Sequence, residues 1–379
     1  MPKRANGEGN IRLRKDGRWE ARYSYVDDAG KRHRKSLMGH SQREVKAALA
    51  AAVRAVEQGR PPSGDRLTVA EFLDRWLAEV VAPTLRPKTR RFYGQMVRLY
   101  LAPGLGHHRL AKLTPQQVQA TLNALAATGL APRTVAHARA VLRQALGKAE
   151  QWGLVARNAA ALADAPQVEE PEPRVVAPAE ARRLLDAARD DRLAALYSVA
   201  LALGLREGET LGLRWADVDL AAGTLRVEVQ LQRVDGAPRL VPLKTRRSRR
   251  TLHLPEVCAA ALKAHRVRLV EERLLAGERW RGGDWDLVFP TRVGTPIDAR
   301  NLVRSFKALL TRAGIPDMRF HDLRHACTSL LIAQGIPARV VMETLGHSQI
   351  GVTLNRYAHV APEVQKEAAR AMDRLFGAD

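Results

Sequence analysis

The chain has 379 residues, 46% hydrophobic and 5% aromatic, with 62 Lys and Arg against 40 Asp and Glu and a net charge of +22. That length allows two or three domains, and the charge points to a polyanionic partner, because phosphate backbones supply most of the non-specific affinity of such proteins. Two cysteines, Cys258 and Cys327, stand far apart, which excludes a disulfide framework and fits reduced thiols in the cytoplasm; no apolar run reaches membrane-spanning length and no apolar core follows the basic N-terminus, so neither a membrane partner nor a secretory signal is expected.

The first 60 residues form a small unit with fifteen basic and seven acidic side chains. Residues 10–37 read as three short strands with turns at Asp16-Gly17 and Asp28-Ala-Gly30. In the middle strand Trp19, Ala21, Tyr23 and Tyr25 alternate with Arg18, Glu20, Arg22 and Ser24, so one face packs while the other meets solvent or DNA. Ser41 and Glu44 make a capping box for the helix that follows. A basic sheet backed by one helix could lie in a DNA groove, or could be a solvated appendage.

Arg60-Pro-Pro-Ser-Gly-Asp65 is a linker by composition. Residues 67–158 then read as four helices. Thr68 and Glu71 cap the first, Pro87 opens the second, and Thr114, Pro115 and Gln117 start the third. The fourth runs from Pro132 to about Trp152. Lys88, Arg90, Arg91, Arg133, Arg139 and Arg143 fit either a basic clamp for DNA or a solvated helix face.

A second linker covers 165–176, and a mixed, mainly helical region follows. Pro178 and Glu180 begin a helix, and 193–205 is an almost wholly apolar one that should be buried. Residues 224–234 and 250–255 read as strands. Between them, 239–250 carries six basic residues and no acid. Two further helices, a short strand and turn at 286–298, and a helix near 300–313 complete this stretch. His321 and Arg324 then share a helix face above Leu323, Ala326, Leu330 and Leu331, with a stop at Gly335. Pro337 opens the next helix, which ends at Gly346 and releases His347; Tyr357 follows ten residues later. Arginine forks bind phosphate bidentately, imidazoles move protons, and a phenol can act as a nucleophile. His321 and His325 lie four apart without the Glu of a zinc-protease helix, so no metal and no other cofactor is expected.

Gly204, Arg206, Glu209, Leu213, Trp215 and Asp217, then Lys244-Thr245, then His321, Arg324 and His325, then Leu345-Gly346-His347, then Tyr357 and His359 form an ordered set. It spans more than 150 residues and resembles the tyrosine recombinases, or phage-type integrases. The resemblance is to their three-domain, lambda-integrase-like class. It implies a multidomain fold, mainly α with small β-sheets: an arm-type DNA-binding domain at 1–60, a helical, SAM-like core-binding domain at 66–165, and a mixed α/β catalytic domain with a C-terminal tail at 174–379.

By the same resemblance, Tyr357 is the nucleophile that forms a 3′-phosphotyrosine. Arg206, Arg324 and His347 hold the phosphate. Lys244 is the general acid, although Arg246, Arg247, Arg249 and Arg250 could simply bind backbone phosphate in that stretch. His321 positions or deprotonates the tyrosine, and Glu209 orients Arg206 from behind. The implied partners are double-stranded DNA at core and arm sites, a homotetramer acting through a Holliday junction, a host DNA-bending protein and a directionality factor. Residues 362–379 would dock on a neighbouring protomer or pack in cis. The competing readings are topoisomerase-like relaxation with the same chemistry, and a catalytically inactive DNA-binding regulator.

Overall fold

Alternation in the N-terminal strands produces a sheet with two unlike faces. The structure, a computed structural model, describes residues 10–26, 32–57, 66–169, 176–243, 245 and 248–346. Strands β1 (Asn10–Leu13), β2 (Trp19–Val26) and β3 (Arg32–Gly39) form an antiparallel sheet in that order. Gly17, at φ +75°, makes the first turn in a conformation that favours glycine; the Asp28-Ala-Gly30 turn lies outside the described residues. Ala21, Tyr23 and Tyr25 pack against Val45 and Leu49 of helix α1 (Gln42–Glu57). Ser41 Oγ accepts the Glu44 N–H at 3.2 Å, and the Glu44 carboxylate reaches back to the His40 N–H at 3.0 Å. On the other face, expected to meet solvent or DNA, Glu20 is buried, clamped by Arg12 and Arg22.

The chain divides into two compact units, Met1–Glu170 and Pro171–Asp379. The first unit also holds a helical bundle with its own core. Its first rod is α2 (Val69–Trp76), a π-helical turn (Leu77–Val81) and α3 (Ala82–Thr84). Its second is α4 (Pro87–Met96), another π turn (Val97–Leu101) and α5 (Ala102–Leu105). Helices α6 (Pro115–Ala127) and α7 (Pro132–Gln151) complete the four. Thr68 and Thr114 both make reciprocal capping boxes, with Glu71 and Gln117. Phe72, Trp76, Leu101, Leu142 and Leu146 are fully buried at the centre. Arg139 Nε donates to the Ala163 carbonyl at 2.8 Å and ties the segment after α7 to the bundle.

In the second unit, α8 (Pro178–Ala187) packs on the apolar α9 (Ala194–Leu203), which is buried almost throughout. After α10 (Glu207–Leu211), strands β4 (Val218–Asp219), β5 (Thr224–Val227) and β8 (Arg250–His253) form one small antiparallel sheet. Strands β6 (Val229–Val234) and β7 (Ala237–Pro242) form a separate hairpin. The sequence reading missed β7, because its exposed residues show no alternation; the positive φ of Asp235 and Gly236 is the turn signal that closes it.

Where two helices were expected there is one, α11 (Glu256–Ala276), followed by a single 3₁₀ turn (Gly277–Arg279). The expected strand at 286–298 reduces to isolated bridges, Arg214 with Leu287 and Pro290 with Pro296. Helices α12 (Ala299–Arg312), α13 (Asp322–Ala333) and α14 (Ala338–Leu345) follow. Among the described residues no helix is long and apolar enough to cross a membrane.

Candidate active site

The site begins where α9 runs out. Its apolar residues bury it, and it must stop at Gly204, whose φ of +60° is left-handed; a Cβ at that position would run into the Leu345 side chain and crowd Cys327. This turn lifts Arg206 out of the core to the N-terminus of α10. Glu209, three residues on, sits where a side chain can reach back to the first turn. Its carboxylate accepts the Arg206 backbone N–H at 3.1 Å and the Arg206 guanidinium at 2.6 Å. The Glu209 side chain is 1% exposed and the Arg206 side chain 37%. Burial pushes the Glu209 carboxyl up, but the charges of Arg250 and Arg206, with the Arg206 hydrogen bonds, outweigh it and hold the group below its ordinary range.

Helix α13 supplies the next pair, and it separates His321 and Arg324, which the spacing puts on one face. His321 is the N-cap residue and remains exposed, while Arg324 lies buried with Leu323 and Ala326. Leu330 and Leu331 are only partly buried. Arg324 is tolerable there because its fork is filled by backbone oxygens: Nη1 donates to the Gly204 carbonyl and Nη2 to the Leu345 carbonyl, each at 2.6 Å. Burial, then the like charge of Arg206, lowers its pKa to about 9, so the guanidinium stays charged at neutral pH.

These arginines meet at the C-terminal end of α14, whose last carbonyls lack helical partners and carry the negative end of the helix dipole. Three consecutive carbonyls there are taken by three different arginines. Thr344 accepts from Arg250 Nε at 2.6 Å, Leu345 from Arg324, and Gly346 from Arg206 Nη2 at a loose 3.4 Å. Gly346 closes the helix in the left-handed conformation at φ +67°.

His321 meets His325 edge to face, with ring centroids 5.2 Å apart. Crowding on its inner side, then the positive neighbours His325 and Arg324, bring its pKa down to about 4, so it is a neutral imidazole at physiological pH. Cys327 donates to the Ala202 carbonyl at 3.4 Å, and burial pushes its thiol up to about 12, which removes it as a nucleophile.

Of the residues nominated from sequence, Arg206, Glu209 and Arg324 come together at the end of α14, and His321 stands one helical turn from Arg324 on α13. Lys244, His347 and Tyr357 lie outside the described residues, His347 being the next residue of the chain after Gly346. Sequence reasoning passed over Arg250, grouping it with the neighbouring arginines. A signal was available: Arg250 and Leu252 occupy alternate positions of β8, and Leu252 is buried, so Arg250 points inward.

A half-exposed arginine fixed by a buried carboxylate, beside a second charged arginine, is an arrangement suited to holding an anion while charge develops on it, as phosphoryl-transfer enzymes do. Comparison with known proteins carries this to a family. Residues 174–363 match the phage integrase family, and residues 68–126 match the phage integrase N-terminal SAM-like domain. The chain is 30% identical to an integrase of Saccharopolyspora erythraea, covering 98% of this chain and 97% of the relative. Its fold is similar to that of the Tn1549 transposon integrase solved with circular intermediate DNA, at a TM-score of 0.69 and 20% identity, covering 80% of this chain and 99% of that one. It is also similar to lambda integrase, solved as a tetramer bound to a Holliday junction, at a TM-score of 0.56 and 20% identity over 90% and 96% of the two chains. The chain belongs to the phage integrase family and is a tyrosine-type site-specific recombinase.

Proposed function

We propose that this recombinase cuts and rejoins double-stranded DNA through Tyr357, with Arg206, Arg324 and His347 around the scissile phosphate. The Tyr357 hydroxyl attacks phosphorus as its proton passes to His321 or to water. The bond to the 5′-oxygen breaks, and Lys244 gives that leaving oxygen its proton, freeing a 5′-hydroxyl. The product is a 3′-phosphotyrosine. Attack by a 5′-hydroxyl from the partner duplex reverses the step and exchanges strands, and the retained phosphodiester energy removes any need for ATP.

The observation that carries this reading is the convergence of Arg206 and Arg324, 118 positions apart in the chain, on the carbonyls that immediately precede His347. Neutral His321 suits a role as acceptor for the tyrosine proton. The basic sheet of residues 10–39 would engage a separate arm site and the helical bundle the core site. A tetramer, as in the lambda structure, would bring two duplexes together, with a host DNA-bending protein and a directionality factor setting the direction.

The test is a nicked suicide substrate carrying the attachment core. The protein should accumulate a covalent 3′ adduct that Tyr357→Phe abolishes; an adduct that survives Tyr357→Phe would show that another residue is the nucleophile.

A further inference from the structure

The structure contains a third arginine in the site, and its environment separates its job from that of the half-exposed Arg206. The Arg250 side chain is 6% exposed, and each nitrogen of its fork already has a protein acceptor. Its fork is spent on three segments: Nε on the Thr344 carbonyl at 2.6 Å, Nη1 on the Ser248 carbonyl at 3.0 Å, and Nη2 on Glu209 Oε2 at 3.1 Å. It thus joins the basic stretch before β8, helix α10 and the C-terminal end of α14.

The carboxylate it touches is shared. Glu209 Oε1 takes the Arg206 guanidinium, while Oε2 takes Arg250 together with the Arg206 backbone N–H. With Oε2 occupied, Arg206 cannot close on Glu209 as a bidentate pair, which is the geometry an arginine and a carboxylate otherwise prefer. Among the described residues its second terminal nitrogen makes only the 3.4 Å contact to Gly346, a bond weak enough for a phosphate oxygen to replace.

We propose that Arg250 is a positioning residue for strand cleavage: by filling one oxygen of Glu209 and anchoring the last turn of α14, it keeps Arg206 turned outward toward the phosphate and holds the chain entering His347 in register. This rests on the reading of Arg206 as a phosphate ligand. A lysine cannot substitute fully, because one ammonium cannot span three partners in a plane.

The experiment is single-turnover adduct formation on the suicide substrate, with DNA affinity measured separately, in the full-length protein. Arg250→Met should slow the adduct step at saturating DNA by roughly 100-fold while the Kd for the core site stays within about 3-fold, since a residue that never touches DNA acts on the bound state. Arg250→Lys should recover about ten-fold of that loss by keeping the counter-charge to Glu209. In a Glu209→Gln background, Arg250→Met should cost less than about 3-fold more, because the effect runs through Glu209.

Multiplying losses in the double variant, a loss of affinity and melting temperature in step with the rate, or an unaltered rate would each overturn the proposal. Should Arg250→Met fail to fold, the cycle is run with Arg250→Lys. Absence of any adduct from the unaltered protein would instead remove the active-site reading on which the proposal stands.

Discussion

The N-terminal sheet buries Glu20 between two arginines and the candidate active site buries Glu209 between two others, and the pairs differ in what those arginines are left free to do. In the sheet, Glu20 accepts from Arg12 Nε at 2.8 Å and Arg22 Nε at 2.9 Å, and both arginine side chains stay about half exposed, at 53% and 45%. In the catalytic unit, Glu209 holds one arginine that reaches solvent and one that does not. The first arrangement is local: cross-strand register sets Arg12 opposite Glu20, and Arg22 lies two residues along the same strand face. The second joins residues 41 positions apart and then a third segment, so it exists only in the folded unit. The open rack leaves two guanidinium groups half exposed to solvent, whereas in the closed one we propose that one arginine aims another.

The largest expected effect comes from breaking the closed arrangement. Glu209→Ala strands Arg250 in the core without a counter-charge, and should cost about 3–5 kcal/mol of stability in urea denaturation. Glu20→Ala should leave the melting temperature almost unchanged, because Arg12 and Arg22 can turn to water; equal losses in the two variants would show that burial of the carboxylate, not closure, is what matters.

Next comes Arg324→Lys. It keeps the charge but cannot reach the Gly204 and Leu345 carbonyls together, and adduct formation on the suicide substrate should fall about 100-fold or more. A smaller effect is expected at the open rack. Glu20→Gln removes a negative charge, so non-specific DNA binding should tighten by about 2-fold, while affinity for the arm sequence should drop about 10-fold as the arginines lose their aim. Gel-shift titrations against competitor DNA would separate the two, and tighter binding to both would reduce the rack to a simple charge effect.

The gentlest probe is acid. His321, with a folded pKa of about 4, and the buried His265, also depressed by burial first, are held neutral in the folded state. Their contribution is present above the unfolded value of about 6.5 and is lost as pH falls below it. Glu20, held at about 2 by its bonds to Arg22 and Arg12, contributes above its unfolded value of about 4.3 and is lost only as pH falls toward 2. The catalytic unit should therefore begin to weaken at a higher pH than the sheet. Calorimetry of a pH series should show an early limb between about 6.5 and 4 that His321→Gln makes shallower.

Much of the frame was legible because its causes are near neighbours in sequence. The capping boxes at Thr68 and Thr114, the buried run of α9, and the stops at Gly335 and Gly346 each depend on residues within a turn or two of one another. The burial of Arg324 in α13 was not legible, for a different reason. Periodicity assigns a face to apolar residues, and Arg324 joins that face only because the carbonyls of Gly204 and Leu345 satisfy it. The single helix α11 was read as two since its apolar residues are scattered around it: Val267, Val270, Leu274 and Leu275 are all exposed. In the site, the order of Arg206, Glu209, Lys244, His321, Arg324, His347 and Tyr357 was enough to suggest the family, but not to show how two of those arginines are held.

What the sequence determined by itself is the inventory: a basic chain of sheet, bundle and catalytic segments, each with its own helix stops, and the side chains able to carry phosphoryl transfer. What only the tertiary structure decided is which arginine stays half exposed and which are buried with their forks filled. Arg206, Arg250 and Arg324 are alike as letters, and their roles divide because α14 ends with three unpaired carbonyls beside a single buried carboxylate. Those acceptors come from segments far apart in the chain, and burial makes each of them take a donor.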